Sequence, residues 1–135
     1  MVAVGAVIEH VDSGKILLLK RARAADYLPG MWEDPMGRIK QHEEPEDALR
    51  REIKEECGLE IEILKPLAVF HDYRGKRAPE NEWIGITYWC KAKSDQVTLS
   101  PEHSTYQWVL PRAALGMAKH PGVRKDIEAF IRESK

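Results

Sequence analysis

Three glutamates, Glu52, Glu55 and Glu56, stand at i, i+3 and i+4 within GRIKQHEEPEDALRREIKEECGL, residues 37–59. At about 3.6 residues per turn, that spacing puts three carboxylates on one face of a helix. Like charges so placed oppose one another by roughly a few tenths of a kcal/mol per pair unless a cation lies among them. Hard oxygen ligands on a rigid face suit a divalent ion such as Mg²⁺, which takes one or two carboxylates, keeps several waters and shares its shell with substrate phosphates. The chemistry indicated is metal-assisted work on a phosphate-bearing molecule. Taken alone, the same glutamates also fit a solvated acidic face offset by Arg50, Arg51 and Lys54.

The segment that must carry them reads as a helix from Pro45 to Cys57. Pro45 suits the first helical turn, where its missing N–H costs nothing, and Glu46 and Asp47 meet the positive end of the helix dipole. Ala48, Leu49, Ile53 and Cys57 recur at helical spacing as an apolar face, and Gly58 can take the left-handed conformation that ends a helix. Glu44 stands where Ser or Asp would be the stronger cap.

Around it the chain supplies strands. Val2 to Ile8 is almost continuously apolar and β-branched, as an interior strand covered on both faces would be, and Lys15 to Lys20 follows a turn at Asp12-Ser13-Gly14. Tyr27 to Gly37, rich in Pro and Gly, marks a loop feeding a short extended piece. Glu60 to Tyr73 reads as a long strand, or one broken at Pro66, and Glu82 to Lys93 alternates as a central strand. Tyr106 to Leu110 is a last strand and Pro111 to Met117 a short helix. Pro121-Gly122 interrupts, and Val123 to Glu133 closes the chain as an amphipathic helix. Strands before and after a central helix predict an α/β domain with a mixed sheet covered on both faces.

The 135 residues, 43% hydrophobic, match one domain, 1–135, with a real core. A net charge of −1 gives no global attraction to nucleic acid or membrane, so phosphate recognition must be local. No apolar run reaches the roughly 18 residues of a spanning helix, and MVAVGAVIEH lacks a basic leader, so the expected location is cytoplasmic. Cys57 and Cys90 have no metal-ligand spacing and read as buried thiols.

Gly37, five residues, Glu43, seven residues and then REIKEECGL from Arg51 to Leu59 resembles the signature of the Nudix hydrolases, the Nudix box, at each fixed position. The resemblance implies an α/β/α sandwich with a mixed central sheet. It also implies hydrolysis of a diphosphate bond in a nucleoside diphosphate derivative, with Mg²⁺ as cofactor and Mn²⁺ as an alternative ion. Carried onto this chain, it makes Glu52, Glu55 and Glu56 metal ligands, aided by the Gly37 backbone carbonyl, with Glu52 or another box glutamate as base. Arg51 would pair with a glutamate and hold its rotamer, and Glu43 and Gly58 would support the box. Glu102, in the loop before the last strand, is a further ligand or base, with His103 beside it.

Arg21, Arg74, Lys76 and Arg77 are candidates for substrate phosphate, and Tyr27, Tyr73 and Trp83 for stacking on a base. Core packing accounts better for Trp32, Trp89 and Trp108. The chain departs from the usual pattern in four places: Asp34 stands where an apolar residue is usual, Met36 replaces a Gly, His42 occupies another common Gly position, and Glu44 replaces the better cap.

Subfamily markers for ADP-ribose or dinucleoside polyphosphates are not in place near Arg74 to Arg77. The small size and lack of an extra domain fit a MutT-like hydrolase, so the expected substrate is a nucleoside triphosphate, oxidised ones included, with ADP-ribose and dinucleoside polyphosphates as alternatives. A nucleotide-sensing Nudix module without catalysis is the reading of another class. Partners are expected to be a small nucleotide and, at most, a second copy of the chain as monomer or homodimer, with no nucleic acid and no membrane.

Overall fold

A computed structural model describes residues 1–135. The elements in chain order are β1 (Val2–Glu9), β2 (Ile16–Arg21), β3 (Trp32–Glu33), β4 (Met36–Arg38), α1 (Pro45–Cys57), β5 (Ile61–Tyr73), β6 (Glu82–Ala92), β7 (His103–Val109), α2 (Pro111–Met117) and α3 (Pro121–Glu133). All seven strands belong to one mixed sheet in the order β3-β2-β1-β6-β5, with β4 added beside β1 and β7 beside β2. Only β1 and β6 run parallel, from Val2 opposite Ile84 to Glu9 opposite Lys91.

Alternation along the central strands sorts the core into two. Val4, Ala6 and Ile8 of β1, with Leu17 and Leu19 of β2, pack under α1 against Ala48, Leu49, Ile53 and Cys57. Val7, Ile16 and Leu18 project to the opposite face and meet Ala114, Ala118, Ile127 and Phe130 of the two later helices and the segment joining them. Successive strand side chains point to opposite faces, so the continuous apolar run in β1 is what a sheet covered on both sides requires. This is the α/β/α sandwich.

Helix α1 has the predicted bounds. Glu44 precedes it in extended conformation with no side-chain cap, and Gly58 ends it at φ 68° while donating to Lys54 O. Two boundaries differ from the sequence reading. Pro121 and Gly122 do not interrupt α3 but begin it, Pro121 being tolerated in the first turn and His120 Nδ1 accepting from Gly122 N. Strand β7 starts at His103 instead of Tyr106, because β2 continues to pair with it up to Arg21 opposite His103. Strand β5 is not broken at Pro66; the register instead shifts between Ile63 and Lys65 and between Pro66 and Ala68. These bulges lie on an edge strand, where a residue without N–H is accommodated.

Candidate active site

The box is held by a single arginine. Arg51 donates to both oxygens of Glu43, from Nε at 2.8 Å and Nη2 at 2.9 Å, to Glu52 Oε1 at 2.8 Å, and to the carbonyl of Arg38 at 2.9 Å. It thereby ties the loop ahead of α1 to the helix, and fixes the Glu52 carboxylate by a charge-assisted bond. Glu43 also accepts from Lys40 N at 2.9 Å, and the Arg51 guanidinium with this second bond draws its carboxyl down to about 2. Gly37 lies directly under Glu52: a Cβ there would fall 2.1 Å from Glu52 Cδ, so only glycine leaves room for the carboxylate.

Glu52 and Glu56 line a cleft of about 550 Å³ with Arg21, Tyr27, Glu33, Met36, Gly37, Arg38, Arg74, Trp83 and Glu102. The loop carrying Glu102 is pinned to the end of α1, since Thr98 N donates to Cys57 O and Ser100 N to Glu56 O. Ligand atoms of Glu56, Glu102 and His103 consequently come within 4.8 Å of one another. Glu56 is buried, and its Oε2 has no hydrogen-bond partner. Burial first, then the neighbouring charges of Glu102, Glu52 and Glu33, push its carboxyl up to about 9. Burial likewise raises Glu52, against the pull of Arg51. A divalent cation would supply what these oxygens lack, so the donor set fits such an ion.

Glu55, on the same helix, is outside this cleft. Its side chain is 57% exposed and lies 3.4 Å from Arg51 Nη1. Arg21 lines the cleft, but its guanidinium is engaged: Nε donates to Tyr27 O at 2.6 Å and Nη1 to Glu33 Oε2 at 3.1 Å. It orders the loop between β2 and β3.

A second pocket of about 550 Å³ opens beyond the cleft, behind a wall shared by Tyr27, Glu33, Met36, Arg74 and Trp83. Arg74 stands over the rings of both Tyr27, at 4.9 Å, and Trp83, at 5.2 Å. The two aromatics are thus brought together, with a guanidinium in the slot between them. Arg77 instead lies 5.8 Å over Tyr73, and neither Arg77 nor Lys76 lines either pocket. Trp32 and Trp89 pack against one core, and Trp108 against the other.

Inside this second pocket, Asp34 of the β3–β4 link hydrogen-bonds Asp126 of α3, and both are buried. Two ionised carboxylates could only repel there, and Asp34 Oδ2 has no donor facing it. Burial, then the charge of Asp126, raises Asp34 well above the ordinary carboxylate range, while burial raises Asp126 against its hydrogen bonds with Asp34 and Thr87, so the two share a proton held on Asp34. Sequence reasoning passed over Asp34, Asp126 and Glu33 as site residues. A signal existed for two of them: Asp34 occupies a place usually apolar, and Asp126 falls between Val123 and Ile127 on the apolar face of α3.

The NUDIX domain model matches residues 1–133. The chain belongs to the Nudix hydrolase family. It is 30% identical over 123 residues to a nucleoside triphosphatase, NudI, of Escherichia coli O17:K52:H18, covering 86% of this chain and 87% of that protein. Among solved structures, it superposes on the MutT protein of Methanosarcina mazei Go1 with a TM-score of 0.82 at 29% identity, over 100% of this chain and 95% of that one. The C. elegans Ap4A hydrolase gives a TM-score of 0.78 at 25% identity, with coverage of 98% and 96%. No helix of the fold is long and apolar enough to cross a membrane.

Proposed function

We propose that residues 1–135 form one catalytic domain, a metal-dependent pyrophosphohydrolase that cleaves a nucleoside triphosphate to the monophosphate and pyrophosphate. The observation that carries this reading is the adjacency of two chambers of different chemistry, one carboxylate-lined and one largely apolar, across the Tyr27, Arg74 and Trp83 wall. A triphosphate chain belongs in the first. The second has the size of a small-molecule site and offers, in the Asp34 and Asp126 pair, buried carboxyl oxygens, Asp34 Oδ2 among them unpartnered, to the edge of a base. The name of the NudI relative supports the triphosphate in preference to other diphosphate derivatives.

Mg²⁺ or Mn²⁺ held by Glu56 and Glu102 with the Gly37 carbonyl would neutralise charge on the phosphates and acidify water. The protein's own part is positional. Arg51 keeps Glu52 in one rotamer, and Glu52, raised by burial, is placed to take a proton from the attacking water as the phosphoanhydride bond breaks. Arg74 can turn from its aromatic slot towards the phosphate chain, leaving Tyr27 and Trp83 to the base. Glu55 would reach the site by exchanging Arg51 for the ion.

Product release from dGTP, 8-oxo-dGTP, CTP, ADP-ribose, NADH and diadenosine tetraphosphate, with Mg²⁺ and with chelator, tests the proposal. Cleavage of a triphosphate well above the rest, lost with chelator, is the expected outcome. Preference for ADP-ribose or diadenosine tetraphosphate would replace the substrate, and silence across the panel would favour a nucleotide-sensing module. In the same assay Glu56→Gln and Glu55→Gln should each lower kcat by about 100-fold or more in folded protein. Unchanged turnover in both at saturating Mg²⁺ would end their assignment as ligands.

A further inference from the structure

His103 is the least exposed polar side chain near the cleft, with none of its surface open to solvent. Its two ring nitrogens are in different situations. Nε2 lies 2.7 Å from Glu33 Oε2, a carboxylate oriented in turn by Arg21 at 3.1 Å. Nδ1 is buried and has no partner. Because a carboxylate only accepts, Glu33 fixes the proton on Nε2, and in the neutral ring the lone pair is then on Nδ1. A ligand atom of this ring, one of Glu56 and one of Glu102 lie within 4.8 Å of one another, and Glu56 Oε2 is itself buried without a partner. Two of these three neighbouring groups, the imidazole and the Glu56 carboxyl, thus each carry a buried atom without a partner. A ring that donates one N–H to a carboxylate and keeps the other nitrogen free is arranged as metal-ligating imidazoles are, the carboxylate setting tautomer and orientation.

From this geometry we infer that His103 Nδ1 is a metal ligand beside Glu56 and Glu102, making this a mixed nitrogen and oxygen site that favours Mn²⁺ and later transition ions over Mg²⁺. The inference rests on the metal-dependent reading above and sharpens it. Mg²⁺ is best served by oxygen alone, whereas imidazole raises affinity for transition ions. Arg21 and Glu33 become positioning residues: Arg21 holds Glu33, and Glu33 holds the ring. The competing arrangement is a neutral Glu56 carboxyl donating directly to Nδ1, which would satisfy both groups without an ion.

The two are separated by pulsed EPR on the full chain loaded with Mn²⁺ and no nucleotide, read for ¹⁴N coupling. Wild type is expected to show an imidazole nitrogen coupled to Mn²⁺, and His103→Gln to lose it. Titration should show Mn²⁺ binding weakened about tenfold or more in His103→Gln, with Mg²⁺ binding changed much less. Bound Mn²⁺ without nitrogen coupling in wild type overturns the inference in favour of the carboxyl-to-imidazole bond, while leaving a metal-dependent hydrolase intact. Coupling that persists in His103→Gln also overturns it. Absence of any Mn²⁺ binding would remove both this inference and the metal-dependent reading. The wild-type spectrum decides the matter even if the variant fails to fold.

Discussion

The most consequential residue outside the box is Asp34, whose proton is shared with Asp126. Its carboxyl is raised in the folded protein, so the native state holds a proton that the unfolded chain releases above its ordinary pKa. Stability is accordingly full below about pH 4 for this group and falls as pH rises towards the folded value, by up to about 1.4 kcal/mol per pH unit. Asp34→Asn keeps a donor without a titrating proton. Its urea-unfolding free energy should vary less with pH, with the variant gaining on wild type as pH rises above the ordinary carboxylate range. Equal slopes for the two proteins would show that the pair does not share a proton. His42 offers a second residue-scale test, since it sits at φ 69° where a side chain is strained. His42→Gly should stabilise by about 0.5–1 kcal/mol, relief of strain outweighing the added freedom of the unfolded chain; denaturation midpoints would report it. Both positions had been marked in the sequence as departures from the family pattern. What the sequence could not give was their cause, because the partner of Asp34 is far along the chain and the backbone angle of His42 depends on the loop that Arg51 closes.

At the scale of elements, α1 was legible almost entirely, from Pro45 to the Gly58 stop, because its signals are local: a first-turn proline, acidic residues at its start, an apolar stripe and a glycine after it. Its weak point was legible too. Glu44 leaves the first-turn N–H groups without a side-chain acceptor, and Glu44→Ser should raise stability by about 0.5–1 kcal/mol, seen as a higher thermal midpoint with unchanged kcat. Strands were harder at their ends. That β7 begins at His103 follows from pairing with β2, and that β5 runs past Pro66 follows from bulges against β6. No local pattern encodes either. The same holds for the cleft: Glu52 and Glu56 were fixed by helical spacing, but Glu102 reaches them only because its loop is hydrogen-bonded to the end of α1.

For the whole molecule, the carboxylate chamber couples stability to metal. An ion that binds only the folded chain stabilises it by RT ln(1 + [ion]/Kd), about 1.4 kcal/mol at ten times Kd. Thermal unfolding in Mg²⁺ should then occur on the order of 4 °C above that in chelator, and Glu56→Gln should abolish most of the difference. A midpoint indifferent to the ion would argue that the buried Glu56 keeps its proton.

The sheet itself carries a last consequence, for the order in which the molecule assembles. β1 lies at the middle of the fold, yet its long neighbour is β6, Val2 pairing with Ile84, and its backbone pairing with β2 is confined to Glu9 opposite Ile16. A seam between segments so distant closes only after the intervening chain has been gathered in, and its entropy is lost before its contacts are gained. On a ribosome the central strand would therefore leave the tunnel well before its long neighbour, with one edge unpaired until β6 arrives and one apolar face wet until α3 follows. A strand deeply buried at the end is one left partly open at the beginning.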